Sequence, residues 1–205
     1  MKVIERDIFP FKEDEFFSPI RDKLDYAKLI VYSTRYLLLH VETKGVKCDS
    51  KIKLCIDKMS RLFFYKQKKY FSVSFPFSVQ IYENEITNIS TFSGKSIDNK
   101  SLSSAISILE DSSFNLNPSL TDYYIESDSF VFLGIAILEE IFQSEPSYIR
   151  YDYDPSNANE KVHPTNHLDI NFTSHGTYKI GLDNEIGKEY FNDILNIRTD
   201  CQFLK

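Results

Sequence analysis

Between residues 150 and 169 the chain carries Arg150, Asp152, Asp154, His163, His167 and Asp169. Imidazoles and carboxylates are the side chains that hold divalent metal ions, and a histidine placed beside a carboxylate can serve as a general acid or base. An arginine among them suits the role of phosphate clamp. Residues 148–153 read as a β-strand, and Leu168, Ile170 and Phe172 alternate as a second one. Residues two apart share a strand face, so Arg150, Asp152 and Asp154 point one way and Tyr151 and Tyr153 the other. His167 and Asp169 likewise share a face, opposite Leu168 and Ile170. In a strand–loop–strand unit the end of the first strand lies beside the start of the second. Asp152, Asp154, His163, His167 and Asp169 are therefore expected to converge.

Three chemistries fit that convergence. Asp152, His163, His167 and Asp169 form a candidate ligand set for a divalent metal ion. Without a metal, His163 or His167 is the candidate catalytic base, oriented by Asp152, with Arg150 on an anionic group. The third reading is recognition or structure alone. Asp154-Pro155 starts a turn, Asp152 pairs with Arg150, and His163-Pro164 stiffens the loop. The spacing is not the helical HExxH pattern of zinc hydrolases, and no glycine-rich phosphate loop or GxSxG elbow accompanies it.

The surrounding elements must be able to position those residues. Residues 13–32 have a helical stripe (Phe16, Ile20, Leu24, Ala27, Val31) with Pro19 in or before its first turn, whereas 36–41 fit helix or strand equally. A second stripe, Ile52, Cys55, Ile56, Met59, Leu62 and Phe63, predicts a helix over 49–64. The period then shortens, predicting strands over 70–74 and 77–81 around Pro76, a turn at Asn84 and a strand over 85–92. A short helix is expected over 102–109 with Ser101 near its cap, then a surface loop over 111–122. From Asp128 a helix runs toward Pro146 through Phe130, Leu133, Ile137, Leu138 and Ile141. The strand pair of the Asp/His segment follows, then a turn at Ser174-His175-Gly176, a strand over 178–182 and a closing helix over 184–197. This order predicts an α+β fold, an antiparallel or mixed β-sheet packed against helices, as a single domain over 1–205. Its N-terminal part, 1–65, is expected to be helical, and the sheet to lie in 66–205.

Composition bounds the function classes. With 42% hydrophobic and 15% aromatic residues in 205, the chain can fill a substantial core. A net charge of −6 weighs against sequence-independent binding to a long nucleic acid, which draws its affinity from phosphate contacts. The basic run Lys66, Lys68 and Lys69, with Arg61 upstream, reads as a solvated face. Cys48, Cys55 and Cys201 lack CxxC spacing and are expected as free thiols in a reducing compartment. Residues 1–10 lack an apolar leader, and the apolar run 130–138 is too short to span a bilayer. The expected location is the cytoplasm, with no membrane contact.

The block Glu145-Pro-Ser-Tyr-Ile-Arg-Tyr-Asp-Tyr-Asp-Pro155, followed by His163-Pro-x-x-His167-Leu-Asp169, resembles a group of uncharacterised bacterial proteins. These share an R-[YF]-D-x-[DP]…HP-x-x-H signature and often lie beside mobile elements and phage-defence genes. Arg150, Asp152, His163 and His167 are the matching positions, and Phe77–Tyr82 and Phe191–Ile197 are also similar. The likeness covers about the last third of the chain well and the middle weakly. It implies a context and no reaction: a component of a bacterial defence or toxin–antitoxin-like system. In that setting the chain is expected to act as a binding or regulatory module with a protein partner or as a homo-oligomer, Tyr151 and Tyr153 serving as interface anchors. The alternatives are a hydrolase acting on a nucleotide or nucleic acid through the Asp/His loop, and a purely structural assembly protein. A looser likeness to small toxins with a histidine-rich hairpin is qualified by Asp169, which stands where such hairpins often carry a further histidine. Arg35 and His40 have the R-x4-H spacing of helical HEPN ribonucleases, but Leu37-Leu38-Leu39 between them sets this segment apart.

Overall fold

The computed structural model describes residues 1–39, 45–58, 60–125, 129–159 and 161–203. The chain starts with strand β1 (Lys2–Ile8), a short 3-10 turn, and helices α1 (Glu13–Phe17) and α2 (Lys23–Leu38). Three strands follow, β2 (Ser50–Ile56), β3 (Arg61–Lys66) and β4 (Lys69–Ser74), then a separate hairpin of β5 (Ser78–Tyr82) and β6 (Glu85–Ser90). Next come α3 (Asn99–Glu110), α4 (Ser112–Leu116), α5 (Thr121–Ile125) and α6 (Ser129–Gln143). Strands β7 (Ile149–Tyr153), β8 (Asn166–Ile170) and β9 (Tyr178–Gly181) precede α7 (Lys188–Asp193).

Seven strands form one sheet in the order β1-β2-β3-β4-β7-β8-β9, every neighbour antiparallel. The fold is α+β, as expected. One face presents Ile4, Ile52, Leu54, Leu62, Phe64, Phe71 and Val73 to a core shared with α1, α2, α3 and α6. The other face presents Cys55, Phe63, Tyr65, Tyr70 and Tyr151, covered by Phe191 of α7. The hairpin β5–β6 contributes Ile89 to the larger core.

The N-terminal part is not uniformly helical. The helix expected over 49–64 is the β2–β3 hairpin, and β1 adds a further strand before residue 10. β3 is buried on both faces, Leu62 and Phe64 facing one layer and Phe63 and Tyr65 the other. A strand covered on both sides loses its two-residue alternation, and its apolar residues then fall by chance on a helical stripe. The first helix is also split: Ser18 is extended before Pro19, whose ring disfavours a helical conformation at the preceding residue, and α2 restarts from the Asp22 cap. Residues 36–38 belong to α2, while His40, Val41, Met59 and Asp128 lie outside the described residues.

In α3, Asp98 is the cap and Ser101 is the third helical residue. Asp98 Oδ1 accepts from Ser101 N (2.7 Å), and Ser101 Oγ accepts from Asp98 N (2.9 Å). Asp98→Ala should lower the unfolding free energy by about 1 kcal/mol in urea denaturation, because the Ser101 amide loses its acceptor. The loop expected over 111–122 contains α4 and α5. The Asp111 side chain caps α4 through Ser113 N (2.8 Å), and Phe114 is buried. The closing helix is shorter than expected, ending at Asp193.

Candidate functional site

The site is the place where the helix-facing surface of the sheet changes from apolar to charged. Register carries the row Phe64, Phe71, Arg150, Asp169 and Lys179 across β3, β4, β7, β8 and β9. One row along, Lys66, Lys69, Asp152, His167 and Gly181 are aligned in the same way. In the first row aromatic residues thus line the β3–β4 side and charged residues the β7–β9 side, while the second row is basic on β3–β4. Cross-strand partners have Cβ atoms roughly 5 Å apart, so this register alone brings the charged groups into contact.

Asp169 is the centre. Its side chain is 0% exposed, yet it accepts from Lys179 Nζ (2.6 Å) and Thr177 Oγ1 (2.7 Å), and it pairs with the Arg150 guanidinium. Burial alone would push this carboxyl up, but the Lys179 and Thr177 hydrogen bonds and the Arg150 charge together hold it below the usual carboxylate range. Arg150 also reaches Asp152, Nε to Oδ2 at 2.7 Å, without a hydrogen-bonding angle, and Tyr148 Oη at 3.4 Å. Its guanidinium is therefore held between the two carboxylates, Nη2 on Asp169 and Nε beside Asp152.

His167 is 1% exposed, and its two nitrogens have distinct surroundings. Nδ1 lies 2.8 Å from the Pro164 carbonyl oxygen, which can only accept, so Nδ1 carries the proton. Nε2 is left with its lone pair directed into the cluster, 3.2 Å from Lys179 Nζ and 3.9 Å from Asp169 Oδ2. A backbone carbonyl fixing one nitrogen so that the other faces inward is how metal-binding histidines are oriented. Gly181 permits the arrangement, since a Cβ there would stand 2.9 Å from Pro164 Cγ and push the loop off β9.

Of the expected convergence, Asp152, His167 and Asp169 come together, one ligand atom from each lying within 4.8 Å of the others. An ion bonded to all three at about 2.1 Å needs those atoms roughly 3–3.6 Å apart, a contraction that side-chain torsions can supply. His163 and Asp154 fall outside this triad. The His163 ring stands edge-on to His167, centroids 4.5 Å apart, with its buried Nδ1 lacking a hydrogen-bond partner. Asp154 instead closes the turn by accepting from Asn157 N (3.2 Å) and Asn157 Nδ2 (3.0 Å). Tyr151 is 0% exposed beneath α7 and cannot anchor an interface, whereas Tyr153 is partly exposed under Lys68. Sequence reasoning missed Thr177, Lys179 and Lys69. The first two were legible as alternating positions of the third strand, but pairing β4 to β7 joins segments about eighty residues apart and left no local signal.

The molecule is thus an α+β protein with an Asp–His–Asp cluster, His167 and Asp169 buried and Asp152 half-buried, beside Lys and Arg. No family model matches the chain, and neither a curated protein nor a solved structure matches it. No helix among the described residues is long and apolar enough to cross a membrane.

Proposed function

We propose that the protein is a hydrolase of phosphate esters in nucleotides or short nucleic acids, with a divalent ion held by Asp152, His167 and Asp169. The observation that carries this reading is the orientation of His167, whose Nδ1 is held by the Pro164 carbonyl so that Nε2 faces Asp169 within a cluster that also includes Asp152. An imidazole with two carboxylates suits Mn²⁺, Fe²⁺ or Zn²⁺ better than an all-oxygen ion such as Ca²⁺. A bound ion would supply Lewis acidity toward a phosphoryl oxygen. Arg150 would hold Asp152 and Asp169 in place, and the acidic surface favours small nucleotides over long polymers.

Lys179 Nζ touches two of the three ligands, at 2.6 and 3.2 Å, and stands where a cation between them would stand. A quarter of its side chain is exposed, so it can swing outward to admit an ion. Calorimetric titration with Mn²⁺ or Zn²⁺ should therefore show about one site per chain, tighter in Lys179→Met than in the wild type and lost in Asp169→Asn. An absence of binding in both wild type and Lys179→Met would sink the metal reading.

The same contacts favour a second reading, in which Lys179 and Arg150 are the permanent counter-ions of both carboxylates. The cluster then stiffens a binding or regulatory module, and the resemblance to proteins near phage-defence genes supplies its setting, a defence or toxin–antitoxin-like system with a protein partner.

A further inference from the structure

The basic run of β3–β4 is not one solvated face. Lys66 pairs with Glu13 (2.7 Å), and Lys68 pairs with Glu185 (2.8 Å) while covering the Tyr153 ring. Lys69 differs from both. Its register partner is Asp152, which places it on the site face, yet Asp152 is already taken by Arg150. Among the described residues, Lys69 Nζ has neither an ion pair nor a hydrogen bond. Three cations, Lys69, Arg150 and Lys179, thus face two carboxylates, Asp152 and Asp169. Arg150 and Lys179 are engaged by those carboxylates, so the surplus charge belongs to Lys69.

We propose that Lys69 is the phosphate-binding residue of this site and that its ligand is a phosphate group presented at the rim beside Asp152. The inference rests on reading the cluster as a phosphate-handling site, and it replaces Arg150 with Lys69 as the group that meets the anion. An ammonium on a half-buried strand position, flanked by protein on one side, gains more from an anion than a solvated lysine does. A divalent ion in the triad would add positive charge nearby and strengthen the demand for an anion.

The test is a phosphorus NMR titration of metal-free protein with inorganic phosphate, comparing wild type, Lys69→Gln and Lys69→Arg. Wild type should bind phosphate, Lys69→Gln about tenfold more weakly (~1.4 kcal/mol), and Lys69→Arg close to wild type, since a charged hydrogen bond to the anion is lost only in the Gln variant. Thermal melting confirms that each variant is folded. Equal affinity in folded Lys69→Gln, or no phosphate binding to wild type, overturns the assignment. Mn²⁺ titration of the same samples separates the two ideas. Failure of wild type to bind the ion, with the Lys69 effect intact, removes the hydrolase reading and leaves Lys69 as the anion site of a binding module.

Discussion

Asp169→Asn is expected to lower the unfolding free energy by about 3 kcal/mol when measured by urea denaturation near neutral pH in the presence of a chelator. The amide nearly preserves shape and volume, so the loss reports charge. Arg150 and Lys179 would remain directed at a buried position that no longer carries a negative charge, and removing one partner of a buried pair costs more than the pair contributes. Arg150 keeps Asp152, and both cations are about a quarter exposed, which places the expected value at the lower end of the range for buried pairs. The pH dependence has a definite sign. The Asp169 carboxyl is held below its unfolded value, so its stabilisation is present above about pH 4 and is lost as the pH falls through the folded pKa. Wild type and variant should therefore differ most near neutrality and converge in acid. A difference below about 0.5 kcal/mol at neutral pH would mean that Asp169 is no keystone of the cluster.

Gly134→Ala has the second large expected effect, and its sign is diagnostic. In an exposed helix interior, alanine in place of glycine stabilises by up to about 1 kcal/mol. Gly134 lies in α6 where it crosses α3, and a Cβ there would stand 2.4 Å from Ser104 Oγ and 2.6 Å from both the Ala105 nitrogen and the Ser104 carbonyl carbon. Two of those atoms are backbone, so no side-chain rotation relieves the clash and the helices must separate. Ser104 Oγ also donates to the Phe130 carbonyl (2.9 Å) and would lose that bond as the helices part. We expect a loss of about 3 kcal/mol, seen as a lower urea midpoint with little change in slope. Unchanged or raised stability would mean that α3 and α6 do not approach so closely.

Much of the frame was legible because several segments are buried on one side only. α6, β5, β6 and β7 have apolar residues at the period of their own geometry, and Pro76, Asn84 and Pro146 mark their boundaries. The α+β class follows from that order. The same two-residue alternation is enough to put Asp152, His167 and Asp169 on one face. Where both faces are buried the method fails: β3 shows no alternation because Phe63 and Tyr65 meet α7 while Leu62 and Phe64 meet the helical layer. The α4 segment hid for the opposite reason, a polar stretch whose helix is set by one cap and one buried ring, Asp111 and Phe114.

By itself, then, the sequence determined the elements with a single buried face, the residue types of the site and the facing of its two central strands. All of these depend on neighbours a few positions apart. Only the tertiary structure decided which charged groups meet. Strand order places β4 against β7, bringing Lys69 to Asp152, and the loop return of Pro164 selects the His167 tautomer. It also joined Arg150 to both carboxylates and left Lys69 beside Asp152 without an ion pair among the described residues. The physical reason is that pairing between distant strands is set by the total burial of the sheet, a sum over the whole chain that no local window of residues contains.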